Sequence, residues 1–161
     1  MNEWKGELAI KSTLGKGTTV EITLPRIAQP SWCVPEINIS AGSPVVVLDD
    51  DPSIHQIWAD RFESLGIKQK GIKLLHFSLA KDLLNWSSQN PNAAKTIYLC
   101  DQELLGQNHN GLQVIEELGI EKQSVLVTSR YDDKEIRLSC AGINVPLIPK
   151  AFAGFVPIVI N

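Results

Sequence analysis

Acidic residues gather at a few points of the chain and are otherwise scattered. Asp49, Asp50 and Asp51 follow the apolar run Val45–Leu48, and Asp101 follows the run Thr96–Cys100. The run Ser124–Val127 ends in Thr128 and Ser129, and the run Val145–Ile148 leads to Lys150. If the runs are strands, each of these polar side chains sits at a strand's carboxyl end, the edge where open parallel sheets bind ligands. In a five-stranded sheet of order 2-1-3-4-5 the first and third strands are neighbours, so Asp49, Asp50 and Asp101 converge. Two unit charges ~4 Å apart repel by about 4 kcal/mol at an effective dielectric of about 20. Protonation, a lysine or a divalent cation must offset that. Mg²⁺ suits an all-oxygen site and keeps waters that phosphate oxygens can replace. A carboxylate beside it can attack a phosphoryl group, with a lysine and a hydroxyl binding the phosphoryl oxygens.

The elements that must position these groups alternate. Short continuous apolar runs, with a weaker one at Ile72–Phe77, suit strands buried on both faces. Between them lie helical patterns. Pro52–Leu65 carries Ile54, Trp58, Phe62 and Leu65 on one stripe, with Asp51 as its N-cap. A second begins at Ser78, with Leu79, Leu83 and Trp86. A third covers Gly111–Leu118, and a weaker fourth Asp132–Ala141. The alternation predicts a right-handed α/β sheet with helices on both faces. His55 reads as a helix-surface residue and Cys100 as a core residue of the central strand.

Two preceding stretches differ. Residues 7–24 alternate as two strands around the turn Leu14–Gly17, with Val20, Ile22 and Leu24 on one face. An isolated hairpin is marginal in water, so it is expected to need a partner surface. Residues 26–43 contain Pro30 and Pro35, lie between Pro25 and Pro44, and read as a linker. Trp32 and Cys33 are the apolar exceptions in it and are expected to dock on a neighbouring domain.

Composition narrows the function classes. A net charge of −3 without a basic run argues against nucleic-acid binding. Three cysteines without a C-x-x-C pair argue against a disulfide framework or cysteine zinc site and fit a reducing cytoplasm. No apolar run reaches the ~18–20 residues that span a bilayer, so no membrane contact by this chain is expected.

The constellation resembles the receiver domain of two-component signalling over 43–152. VVVLDDDPSI resembles its first strand and acidic pair, IYLCDQEL its phosphoacceptor segment, VLVTSR its hydroxyl and LIPK its lysine. The resemblance implies a flavodoxin-like, doubly wound five-stranded parallel sheet of order 2-1-3-4-5. Asp101 is then the phosphoacceptor. Asp49, Asp50, Asp101 and the backbone carbonyl of Glu103 hold Mg²⁺, and Thr128 and Lys150 contact the phosphoryl group. Departures are visible too. Leu105 takes a place usually held by proline, and the helix-opening glycine comes late, at Gly111, so loop 102–110 is enlarged. Ala151 follows the lysine where proline is usual, Leu147 replaces an aromatic, and AFAGFVPIVIN predicts that the last helix is missing or replaced.

GELAIKSTLGKGTTVEITLP is similar to the final strands of a histidine-kinase ATP-binding domain, through Ser12, Gly17-Thr18 and Leu24-Pro25. The implied organisation is hairpin fragment 1–25, linker 26–43 and receiver 44–161, the carboxy-terminal piece of a hybrid sensor kinase. The implied phosphodonor is a histidine kinase or phosphotransfer domain, with homodimerisation open and no turnover by this piece alone. Two other readings compete. A haloacid-dehalogenase-like phosphatase would use Asp49 and Asp51, but it wants acidic residues beyond the lysine and leaves Asp101 without a role. A non-phosphorylated docking module would keep the fold for protein contacts.

Overall fold

A computed structural model describes residues 5–26, 28–90 and 95–161. Residues 1–4 of the expected hairpin fragment and 27 of the expected linker lie outside them. The chain divides into two compact units, Met1–Pro30 and Ser31–Asn161.

The first unit is the hairpin. Strands β1 (Glu7–Thr13) and β2 (Gly17–Thr23) pair antiparallel, from Glu7 opposite Thr23 to Thr13 opposite Gly17. The turn closes with Lys16 N–H donating to Thr13 O at 2.9 Å. Gly15 and Gly17 take φ of 77° and 111°, the left-handed region that favours glycine. Leu8 faces Ile22 and Ile10 faces Val20 across the strands. All four side chains are exposed, and the pairs of this apolar face meet across the two strands.

The second unit is an α/β sandwich. It comprises β3 (Ile37–Ile39), β4 (Val45–Leu48), α1 (Pro52–Ser64), β5 (Leu74–Phe77), α2 (Ala80–Gln89), β6 (Ile97–Asp101), α3 (Gly111–Leu118), β7 (Ser124–Thr128), α4 (Lys134–Gly142), β8 (Leu147–Pro149) and β9 (Ile158–Ile160). The main sheet is parallel, in the order β5-β4-β6-β7-β8. That is the 2-1-3-4-5 order that the receiver resemblance implied. Strand periodicity sorts the core into two layers. Val45 and Val47 of β4 join Trp58 and Phe62 of α1 on one face. Val46 and Leu48 join Leu83 of α2, Ile115 of α3 and Ile136 of α4 on the other. Trp58, Phe62 and Leu48 are wholly buried, and burying each such side chain contributes about 1.5–3 kcal/mol.

Local signals start the helices. The Asp51 carboxylate accepts from Ser53 N–H at 2.8 Å, with Pro52 next. Asn110 and Gln113 form a reciprocal capping box on α3. Asp133 caps α4. Ser78 does not cap α2. Gln107 does so from the enlarged loop: its Oε1 accepts from Ala80 N–H at 2.7 Å and its Nε2 donates to Ser78 O at 3.0 Å.

No last helix forms. After β8 the chain makes a short 3₁₀ turn over Lys150–Phe152 and ends in β9, which pairs parallel with β3. Ile37 and Ile39 point into the α1-side core, at 2% and 1% exposure, while Asn38 faces solvent. The β3–β9 ribbon therefore covers sheet surface that a last helix would cover. Arg61 of α1 clasps the turn that leads into β9, its guanidinium donating to the carbonyls of Ala153 and Val156. The stretch 26–43 is thus not devoid of regular structure. Three residues between Pro35 and Pro44 suffice for a strand, because β9 supplies the partner that the local sequence cannot. Trp32 and Cys33 dock, but on the α/β unit that their own stretch enters. Among the described residues no helix is long and apolar enough to cross a membrane.

Candidate functional site

Strands β4 and β6 lie side by side, Leu48 opposite Cys100, so the residues that follow them meet. Carboxylate oxygens of Asp49, Asp50 and Asp101 lie within 4.8 Å of one another. Lys150, at the end of β8, reaches back between two of them. Its Nζ donates to Asp49 Oδ1 at 3.0 Å and to Asp101 Oδ2 at 2.9 Å. Asp49 and Asp101 are 1% and 3% exposed, and Asp50 is half-buried.

Burial raises the pKa of Asp49 and of Asp101 above the usual carboxylate value of 3.8. The Asp51 amide and Lys150 pull against this at Asp49. Lys150 does so at Asp101, where the negative charge of Asp49 pushes the same way as burial. Burial on its own would lower the pKa of Lys150, but hydrogen bonds to Asp101 and Asp49 outweigh it and hold the ammonium charged. One ammonium thus faces three carboxylates. The shortfall in positive charge, together with an all-oxygen donor set at one edge, fits a hard divalent cation.

The surroundings are tightly determined. Asp51 N–H donates to Asp49 Oδ1 at 2.9 Å, and the Glu103 amide hydrogen-bonds the Asp101 carboxylate. The side chain of Glu103 turns to Arg130, 3.7 Å away. Leu105 N–H donates to Asp50 Oδ2 at 3.3 Å, so the enlarged loop folds over the acidic pocket. Thr128 is fully buried at the end of β7, its Oγ1 accepting from Arg130 N–H at 3.0 Å. Gly111 lies against the site from below: a Cβ there would fall 2.0 Å from the Asp101 carbonyl oxygen, so no side chain fits. Asp51 points outward, its pKa lowered by the Ser53 hydroxyl and amide. The gathered acids are Asp49, Asp50 and Asp101, not the Asp49/Asp51 pair.

His55 departs from the sequence reading. It is half-buried, and its Nε2–H donates to the Asp49 carbonyl at 2.7 Å. Its Nδ1 lies 2.8 Å from Nδ1 of His76, the two rings edge to face. Burial, with His55 close by, lowers the pKa of His76. The pairing joins α1 to β5 across 21 residues. The only sequence signal is that both positions fall one turn or less from the carboxyl edge. Gln107 was likewise missed, because a cap donated by a distant loop has no local pattern.

No family model matches the chain, and no curated protein matches it. Solved structures do. The receiver domain of the Arabidopsis thaliana histidine kinase CKI1, complexed with Mg²⁺ and BeF₃⁻, aligns with a TM-score of 0.52 at 13% identity, covering 69% of this chain and 83% of that one. The Salmonella typhimurium response regulator RcsB aligns at 0.56 and 14% identity, covering 70% and 56%. The receiver domain of the Francisella response regulator 1452 aligns at 0.51 and 18%, covering 68% and 84%. The chain therefore carries the flavodoxin-like fold of response-regulator receiver domains, with a β-hairpin before it.

Proposed function

We propose that the α/β unit is a phosphoacceptor receiver domain of two-component signalling, with Asp101 as the acceptor. The observation that carries this reading is the bridging of Asp49 and Asp101 by Lys150, with Asp50 at the same edge. Asp49, Asp50, Asp101 and the Glu103 carbonyl would hold Mg²⁺, which when bound offsets the charge of the carboxylates and of phosphoryl oxygens. An oxygen of Asp101 attacks the phosphorus of a phosphohistidine. The new O–P bond forms as the N–P bond breaks, and the imidazole leaves with the electron pair. Lys150 transfers its ion pair from Asp101 to a phosphoryl oxygen, and the Thr128 hydroxyl donates to another. The product adds a charge of about −1.5 to −2, which biases a surface element between two states.

A histidine kinase or phosphotransfer domain, which carries a phosphohistidine, is the donor class that suits this chemistry. The hairpin's likeness to the end of a kinase ATP-binding domain supports placement after a kinase core, as in a hybrid sensor kinase.

Treatment with acetyl phosphate and Mg²⁺ tests the reading. Mass spectrometry is expected to find one hydroxylamine-labile phosphoryl group, on Asp101, and none in Asp101→Asn. Phosphorylation that survives Asp101→Asn, or turnover abolished by Asp49→Asn alone, would refute it, the latter in favour of the phosphatase.

A further inference from the structure

The segment that leads into the α/β unit is built into its sheet. Val34 N–H donates to Leu147 O at 3.0 Å, and Leu147 N–H donates to Trp32 O at 3.1 Å. Cys33 thereby bridges Leu147 in parallel. Strand β8 is the last of the five, and these bonds cover its outer edge, which would otherwise present unpaired backbone groups.

The Trp32 side chain makes a second attachment. Its ring stacks on Tyr131, with centroids 6.3 Å apart and planes at 24°. The Arg137 guanidinium lies 5.8 Å from its centroid. Tyr131 stands three residues after Thr128. The residues between them are exposed and held by polar contacts: Arg130 N–H on Thr128 Oγ1 at 3.0 Å, and the Arg130 guanidinium on Glu103 and Asp133. One short, lightly anchored stretch thus carries the buried hydroxyl at one end and the stacking partner of Trp32 at the other. Glu103 belongs to the loop after Asp101, so a second strand of contacts links the same stretch to the acidic pocket.

We propose that Ser31–Cys33 is an intramolecular output element: docked on β8 and Tyr131 while Asp101 is unmodified, and loosened when Asp101 carries a phosphoryl group. This rests on the reading of Asp101 as phosphoacceptor. When Thr128 turns its hydroxyl to a phosphoryl oxygen, its bond with Arg130 N–H is lost. Too few residues separate Thr128 from Tyr131 to absorb the movement, so Tyr131 leaves Trp32. The segment then loses the stack that ties Trp32 to the stretch after Thr128, and its outer part, Ser31–Cys33 at the sheet's edge, becomes the element that opens locally, while Val34 remains in the core. By linkage, the factor by which the bound ligand weakens the dock equals the factor by which the undocked chain binds that ligand more tightly than the docked one.

Hydrogen exchange on the full chain, with and without Mg²⁺ and BeF₃⁻, tests this. The Leu147 amide is expected to exchange at least about fivefold faster with the ligand. Trp32→Ala is expected to bind BeF₃⁻ tighter by a like factor, and Trp32→Phe, which keeps a ring for Tyr131, to bind near the wild-type affinity. Saturable BeF₃⁻ binding with this amide unchanged or slowed overturns the output element and leaves Asp101 as acceptor. Equal affinity of Trp32→Ala and wild type does the same. Absence of BeF₃⁻ binding to the wild type overturns both. The wild-type exchange measurement decides the matter even where Trp32→Ala does not fold.

Discussion

Replacing Lys150 by methionine keeps the aliphatic stem and removes the charge that separates two buried acids. Asp49 and Asp101 are 1% and 3% exposed, and the Lys150 side chain is 15% exposed, so solvent screens the group weakly. Two unit charges 4.8 Å apart, the outer limit of the cluster, repel by about 3.5 kcal/mol at an effective dielectric of about 20. Removing one partner of a buried ion pair costs about 3–5 kcal/mol. The lower end applies here, because the remaining acids can take up a proton, and about 3 kcal/mol is expected near neutral pH. Urea denaturation in the presence of a chelator reads this as a fall of about 1.5 M in midpoint, for a slope of about 2 kcal/mol/M. The pH dependence has a definite sign. Burial already holds both carboxyls above 3.8, and losing the ammonium raises them further. A raised carboxyl favours the folded state when protonated, so the loss is small below the unfolded value of 3.8 and grows as pH rises through the folded values. Asp101→Asn removes one of the two like charges, and in that background Lys150→Met is expected to cost only about 1 kcal/mol. Equal losses in both backgrounds, or a loss that does not change with pH, would refute the account of the site as a charge-coupled unit.

Two further perturbations probe the scaffold. Gly111→Ala puts a Cβ 2.0 Å from the Asp101 carbonyl oxygen, a backbone atom that cannot rotate away. It is expected to cost about 1–3 kcal/mol and to weaken Mg²⁺ binding in a fluorescence titration; wild-type stability and affinity together would contradict the close approach of α3 to β6. Burial pushes the Cys100 thiol up to about 12 and the Cys140 thiol up to about 11. Alkylation at about pH 8 should therefore mark half-buried Cys33 first and reach Cys100 only as urea unfolds the chain, with mass spectrometry giving the order; early labelling of Cys100 would argue against a buried central strand.

What the sequence determined by itself was the alternation of elements and the polar residues at their ends. Runs such as Val45–Leu48 and Val125–Val127 are apolar throughout because both faces of the sheet are buried, so strand type, helix stripes and the residue just past each strand are all local information. Asp49, Asp101, Thr128 and Lys150 were legible for that reason, and so were the Asp51 cap and the absent last helix. The tertiary structure alone decided the rest, wherever a residue's partner lies far along the chain. Ile37–Ile39 is too short to carry a period and becomes a strand only because β9 returns to pair with it. His55 meets His76, Gln107 caps α2 from another loop, and Trp32 finds Tyr131, through contacts that no nearby residue signals. Even Lys150, named from its place after β8, gained its meaning in space. Only the order of the strands brings its ammonium between Asp49 and Asp101, 101 and 49 residues away, where burial makes one charge matter to both.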